Sequence, residues 1–270
     1  VDWAGRVAVV TGASSGIGRQ LALDFAARGC DLVLVARREP LLRQVADAAG
    51  ARGAQVLAIA GDLGRRELPE QVVERTLERF GRLDVLVNNA GMPKHKQFYD
   101  VTADDVEQTL RVNFLAPALL TVAALPHLLR RDEGFVVNIS SGAGRIPPPR
   151  ETVYAASKFA LTGFSEGLAL DLHGSSVHTA VIHVGPVDTE IWEKAASEAP
   201  VRFRGKKHPP SAVSRAVFRC IEGRRHEATV PGWLRLMFAL NHFLPGVFRR
   251  GAAYYDPVPA EVIRAASRRR

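Results

Sequence analysis

Six short apolar runs constrain this chain more than any other feature: RVAVVTG (6–12), DLVLVA (31–36), QVLAIAGD (55–62), LDVLVNNAG (83–91), GFVVNIS (134–140) and VHTAVIHVG (177–185). Longer stretches of helical periodicity separate them, at 16–28, 39–50, 67–80, 103–130 and 153–172. A strand written as continuous Val, Ile and Leu is buried on both faces, so it belongs to a parallel sheet with helices above and below. The alternation predicts an α/β fold, a doubly wound parallel sheet in a single domain. At 270 residues and 47% hydrophobic content the chain can bury one sizeable core. Neither a membrane-spanning segment nor an export signal is expected. One stretch is irregular, EIWEKAASEAPVRFRGKKHPP (190–210), and its length and polarity mark a candidate lid.

The first strand runs into TGASSGIG (11–18), where Gly12, Gly16 and Gly18 open a helix. Glycine lets the backbone turn tightly and approach a pyrophosphate, which then sits at a helix N-terminus whose free N–H groups favour anions. Strand, glycine turn and helix in that order predict dinucleotide binding. Further on, YAASK (154–158) sets Tyr154 and Lys158 on one face of a helix. A phenol of pKa about 10 needs a nearby cation to serve as a neutral-pH proton donor and acceptor. Lys158 supplies that cation, unless the pair is an ordinary exposed aromatic and cation.

With NNAG (88–91), RVNFLAP (111–117), NISS (138–141) and GPVDT (185–189) in the same order and spacing, the chain resembles the short-chain dehydrogenase/reductase family from about residue 4 to 231. The resemblance implies a Rossmann-like fold over 1–231, followed by a C-terminal extension at 232–270. It implies that Tyr154 exchanges a proton with a carbonyl or alcohol oxygen while hydride passes to or from a nicotinamide. It also implies that Lys158 holds the nicotinamide ribose and lowers the Tyr154 pKa, that Ser141 polarises the carbonyl, and that Asn113 holds a water beside Lys158. Ser140 is then structural. On the cofactor side it implies contacts from Gly12, Ser14, Ser15, Gly16, Ile17 and Gly18, from Asp62 and Leu63, from Asn89, Ala90 and Gly91, and from Val187 and Thr189. The usual Pro-Gly is here Val184-Gly185 with Pro186 following, a departure that affects the local backbone course.

The second strand ends in Ala36, Arg37 and Arg38, where NAD-binding relatives carry an acid. A neutral residue beside two guanidiniums suits the 2′-phosphate of NADP(H), with Arg37 the expected partner. Otherwise the two arginines are solvated at the start of a helix. Ser15 replaces the basic residue of many NADP-preferring relatives.

Charge is divided along the chain. Residues 1–200 hold 21 Lys and Arg against 24 Asp and Glu, whereas residues 201–270 hold 15 against 4. An acidic body with a basic end argues against nucleic acid and for a local anionic partner such as lipid headgroups. In that end Trp233, Leu236, Met237, Leu240, Phe243, Leu244, Val247 and Phe248 recur at helical spacing, and Pro245-Gly246 should break the helix. Two expectations stand: a lid over an apolar substrate cleft, or peripheral contact with an anionic membrane helped by Arg249, Arg250, Arg264, Arg268, Arg269 and Arg270. Cys30 and Cys220 read as buried free thiols, which fits a cytoplasmic setting. His173, His178 and His183 lack ligand spacing, so no metal is expected. Lys94, His95 and Lys96 follow NNAG and read as a solvated basic loop, or else as an edge of the substrate mouth. Helices 103–130 and 153–172, with small residues Ala155, Ala156 and Gly163, resemble those through which family members form dimers or tetramers. Function then divides between an enzyme acting on a small lipophilic carbonyl or alcohol and a cofactor-binding interaction protein without turnover.

Overall fold

The computed structural model describes residues 1–191, 205–255 and 264. Seven strands form one all-parallel sheet: β1 (Val7–Thr11), β2 (Asp31–Ala36), β3 (Val56–Ala60), β4 (Val85–Asn88), β5 (Gly134–Ile139), β6 (Val177–Val184) and β7 (Glu227–Val230). Their order is β3-β2-β1-β4-β5-β6-β7, so the winding reverses between β1 and β4. Ligands of such sheets bind in the crevice that opens at the carboxyl ends of the strands at that reversal.

Among the described residues the α-helices are α1 (Gly16–Ala26), α2 (Glu39–Gly50), α3 (Leu68–Phe80), α4 (Ala103–Leu110), α5 (Ala116–Leu128), α6 (Thr152–Asp171), α7 (Pro210–Glu222), α8 (Leu234–Phe243) and α9 (Pro245–Tyr255). Strand alternation divides the core. Ala8, Val10, Leu32 and Leu34 pack with Leu21 and Phe25 of α1, Leu42 of α2 and Val217 of α7. Val7, Val9, Val33 and Val35 face the other way, toward Val72 of α3 and Leu120 of α5. Both faces are covered, as the continuous apolar strands require.

Three details differ from the sequence expectation. β7 was not among the six runs; its Glu-Ala-Thr-Val is short and half polar, and it is held as a strand by register with β6. Residues 112–129 carry no charge, and Ala103–Leu128 is by length and composition apolar enough to cross a bilayer. Here Ala116, Leu120, Ala124 and Leu128 give that helix a buried face against the sheet. Ala155, expected to admit a partner chain, is buried in the protein's own interior, whereas Ala156 and Gly163 are exposed. Cys30 and Cys220 are buried and free. Much of the 190–210 stretch, and Arg268, Arg269 and Arg270, lie outside the described residues.

Candidate active site

The turn from β1 into α1 forms one end of a cleft of about 870 Å³. Gly12 adopts φ +66°, and a Cβ there would stand 2.9 Å from Ala90 Cα, so only glycine lets the turn pass under the Asn89-Ala90 loop. That loop is tied down in return: Asn89 Nδ2 donates to the Thr11 carbonyl at 2.8 Å, and the Thr11 hydroxyl accepts from the backbone N–H of Asn89 and of Ala90, each at 2.9 Å. Thr11 belongs to the glycine motif, but its role as the clamp between the two loops was not foreseen. Ser15 precedes α1 without a side-chain cap, and the helix has no acidic residue in its first turn. The N-terminal N–H groups and the positive end of the helix dipole therefore meet the cleft with no acidic residue of the helix's own first turn beside them, which is the chemistry an anion requires.

Ser14, Ser15, Gly16, Ile17, Arg37, Arg38, Asp62, Leu63, Asn89, Ala90, Gly91, Val187 and Thr189 all line this cleft, together with Ser141, Tyr154 and Lys158. Gly18 does not line it; a Cβ there would run into the Gly12 carbonyl, so its role is close helix packing. The Val184-Gly185-Pro186 departure is accommodated by pairing: Gly185 N–H donates to the Val230 carbonyl at 2.7 Å, and Val187 bridges to His208. Asp62 is exposed, and its Oδ1 accepts from Gly64 N–H at 3.0 Å.

At the inner end, β5 delivers Ser140 and Ser141 and the next helix delivers Tyr154 and Lys158. Ser140 is turned into α6, donating to the Lys158 carbonyl at 3.2 Å and sharing a bond with Thr162, the structural role expected of it. The Ser141 hydroxyl accepts from Ala143 N–H at 3.1 Å and forms a side-chain hydrogen bond with Tyr154. Burial pushes the Tyr154 phenol up to about 12; the Ser141 bond opposes that rise and the Glu151 carboxylate adds to it. Burial also pushes the Lys158 ammonium down to about 8, and this ammonium donates to the Ile139 carbonyl at 2.9 Å. In the free protein burial therefore dominates the Tyr154 phenol, and the Lys158 ammonium is hydrogen-bonded to the end of β5.

Asn113 is fully buried in a wide turn (Arg111–Leu115) between α4 and α5, behind the cleft wall. Its amide donates to the Met92 carbonyl at 3.0 Å and to Ser157 Oγ at 2.9 Å, and its Oδ1 accepts from Met92 N–H at 2.8 Å. Asn113 Oδ1 and Lys158 Nζ flank Gly91, so the residues expected to act together are neighbours.

The outer walls hold residues outside the family motifs, among them Trp233, Met237 and Phe248 of the apolar stripe expected as a lid. Ile146, Pro147, Pro148, Trp233, Leu234, Met237, Phe238 and Phe248 make one side apolar. Lys94 and His95, expected in solvent, are buried. Lys94 and Lys96 share Asp105 at 2.9 and 2.8 Å, and His95, on the cleft wall, lies 3.4 Å from Glu151. The two lysines hold the Asp105 carboxyl well below the usual range. The partner Asp105 lies on α4, beyond the reach of a local sequence reading.

A parallel sheet with a glycine cradle at its winding reversal, and a serine, tyrosine and lysine at the cradle's far end, defines a nicotinamide-dependent oxidoreductase. The chain belongs to the short chain dehydrogenase family, whose model matches residues 6–200. It is 33% identical over 251 residues to "11-beta-hydroxysteroid dehydrogenase-like 3" of Arabidopsis thaliana, covering 92% of this chain and 81% of that one. Among solved structures it is similar to a short chain dehydrogenase/reductase from Burkholderia phymatum in complex with NAD, with TM-score 0.83, 27% identity and coverage of 90% and 94% of the two chains. It is also similar to a short chain dehydrogenase from Burkholderia cenocepacia J2315 in complex with NADP, with TM-score 0.77, 31% identity and coverage of 87% and 100%.

Proposed function

We propose that this chain is an NADP(H)-dependent oxidoreductase that interconverts a lipophilic ketone or aldehyde and the corresponding alcohol. The observation that carries the reading is the meeting of Ser141, Tyr154 and Lys158 in a cleft whose far end holds Arg37 and Arg38 and whose outer wall is apolar. The cradle fits a dinucleotide, for the reasons of glycine clearance and helix polarity given above. When bound, the nicotinamide supplies hydride to the carbonyl carbon, or receives it from the alcohol carbon. In reduction the Ser141 hydroxyl donates a hydrogen bond to the carbonyl oxygen, and Tyr154 passes its proton to that oxygen as negative charge develops there. Lys158 holds the ribose hydroxyls and stabilises the phenolate that remains, and Asn113 fixes the loop beside it. The plant relative's name speaks of a hydroxysteroid, and the apolar wall here suits a rigid lipophilic carbonyl of that kind.

The test is NADPH consumption with carbonyls graded in size and hydrophobicity. Turnover that rises with hydrophobicity supports the reading; tight NADPH binding without turnover on any carbonyl would leave a cofactor-binding interaction protein.

We also propose assembly into a homodimer or homotetramer through α5 and α6, where Val122 is 67% and Leu170 78% exposed. Sedimentation as a monomer at micromolar concentration would contradict it. The outward face of α8 and α9 is further proposed to contact an anionic lipid surface.

A further inference from the structure

Arg38 spans the cofactor end of the cleft. One arm of its guanidinium donates to Ser15 Oγ at 2.8 Å and to Ser14 Oγ at 3.4 Å, within the turn that opens α1. The other arm pairs with Glu190 Oε2 at 2.6 Å. Glu190 directly follows Thr189, and both line the cleft. The Arg38 fork, of the kind that grips a phosphate, is therefore already holding a carboxylate, while Arg37, the expected phosphate partner, is exposed and lines the same cleft.

We propose that Glu190 is a specificity-determining residue for the cofactor: an internal carboxylate that occupies the Arg38 fork in place of the 2′-phosphate and must be displaced by it. The proposal rests on the NADP(H) reading above. The ion pair is about one-third exposed on each side, with 39% of the Arg38 side chain and 38% of the Glu190 side chain accessible, so its strength is modest and a doubly charged phosphate can displace it. A dinucleotide without the 2′-phosphate offers the fork only a neutral hydroxyl, which does not compete with a carboxylate, and leaves the pair intact. Removing the Glu190 charge should thus help NADPH and leave NADH nearly unchanged.

Calorimetric titration of the full chain with NADPH and with NADH tests this without recourse to activity. Glu190→Gln is expected to lower the NADPH dissociation constant about three- to tenfold while that for NADH moves less than about twofold. In an Arg38→Met background the same substitution should have no effect on NADPH. Equal tightening of both dinucleotides would overturn the proposal, since the carboxylate would then merely repel any phosphate; so would an unchanged NADPH constant. A wild-type chain without preference for NADPH would overturn the cofactor reading itself, whereas a preference that ignores Glu190 would overturn this inference alone.

Discussion

Tyr154 and Lys158 sit four residues apart on α6, and burial moves their proton affinities in opposite directions, the phenol up to about 12 and the ammonium down to about 8. Tyr154→Phe keeps the ring and removes the titrating proton. Carbonyl reduction is expected to fall about a thousandfold with NADPH affinity retained; survival of more than roughly a tenth of the rate would show that another group delivers the proton. Lys158 makes a second expectation at the same scale. Its folded pKa of about 8 lies below the 10.5 of a free lysine, so carrying the charge in the fold costs roughly 3 kcal/mol. That cost is fully present below pH 8 and is relieved as the pH rises from 8 to 10.5, where the unfolded chain holds the extra proton. Lys158→Met should therefore abolish turnover yet unfold at higher urea than the wild type at neutral pH, less the bond lost to the Ile139 carbonyl. The gap should close toward pH 10.5. A variant less stable than the wild type at neutral pH would mean that the ammonium is well solvated after all.

At the scale of elements, the carboxyl ends of the strands and the lead-in to α1 were legible because their causes are local: burial on both faces writes itself as unbroken Val, Ile and Leu, and a tight turn writes itself as glycine. In the C-terminal helices the break at Pro245 was legible, but the facing of the apolar residues on either side of it was not. Helical spacing alone joined Trp233, Leu236, Met237, Phe243 and Phe248 into one stripe. In the structure Leu234, Met237, Phe238 and Phe248 turn to the cleft, while Leu236 and Phe243 are 74% and 77% exposed. Leu234 is seated against the backbone of the loop after β6, so closely that a Cβ on Gly185 would stand 2.6 Å from its Cδ1. Phe238 lies edge-on to the buried His183 ring, with centroids 5.9 Å apart. Both contacts are tertiary, and no periodicity encodes them. Replacing Leu234 and Phe238 together by Ala should raise KM for a bulky lipophilic carbonyl about tenfold or more, with kcat for a small aldehyde nearly unchanged. An equal loss on the small aldehyde would instead show that α8 supports the Ser141 turn.

For the whole molecule the decisive feature is the uneven placement of charge and apolar surface. The body up to residue 200 carries slightly more acid than base, and the excess of base lies beyond it, on the same segment that exposes Leu236, Phe243, Leu244 and Val247. Transfer of each such side chain out of water is worth up to about 1.5–3 kcal/mol, and each Arg near an anionic bilayer adds about 1 kcal/mol. Arg235, Arg249 and Arg250 are exposed on or beside this face. The opposite face of α8 closes the cleft, so a surface that settles on lipid would set the apolar wall of the cleft beside the phase in which a lipophilic carbonyl dissolves. The expected outcome is co-sedimentation with anionic vesicles at low salt, release at high salt, and a weaker salt-independent loss when Leu236 and Phe243 are both changed to Ser. Equal recovery with neutral and anionic vesicles would remove the electrostatic half of the argument. No binding to either would leave α8 and α9 as a lid whose outer face meets another surface.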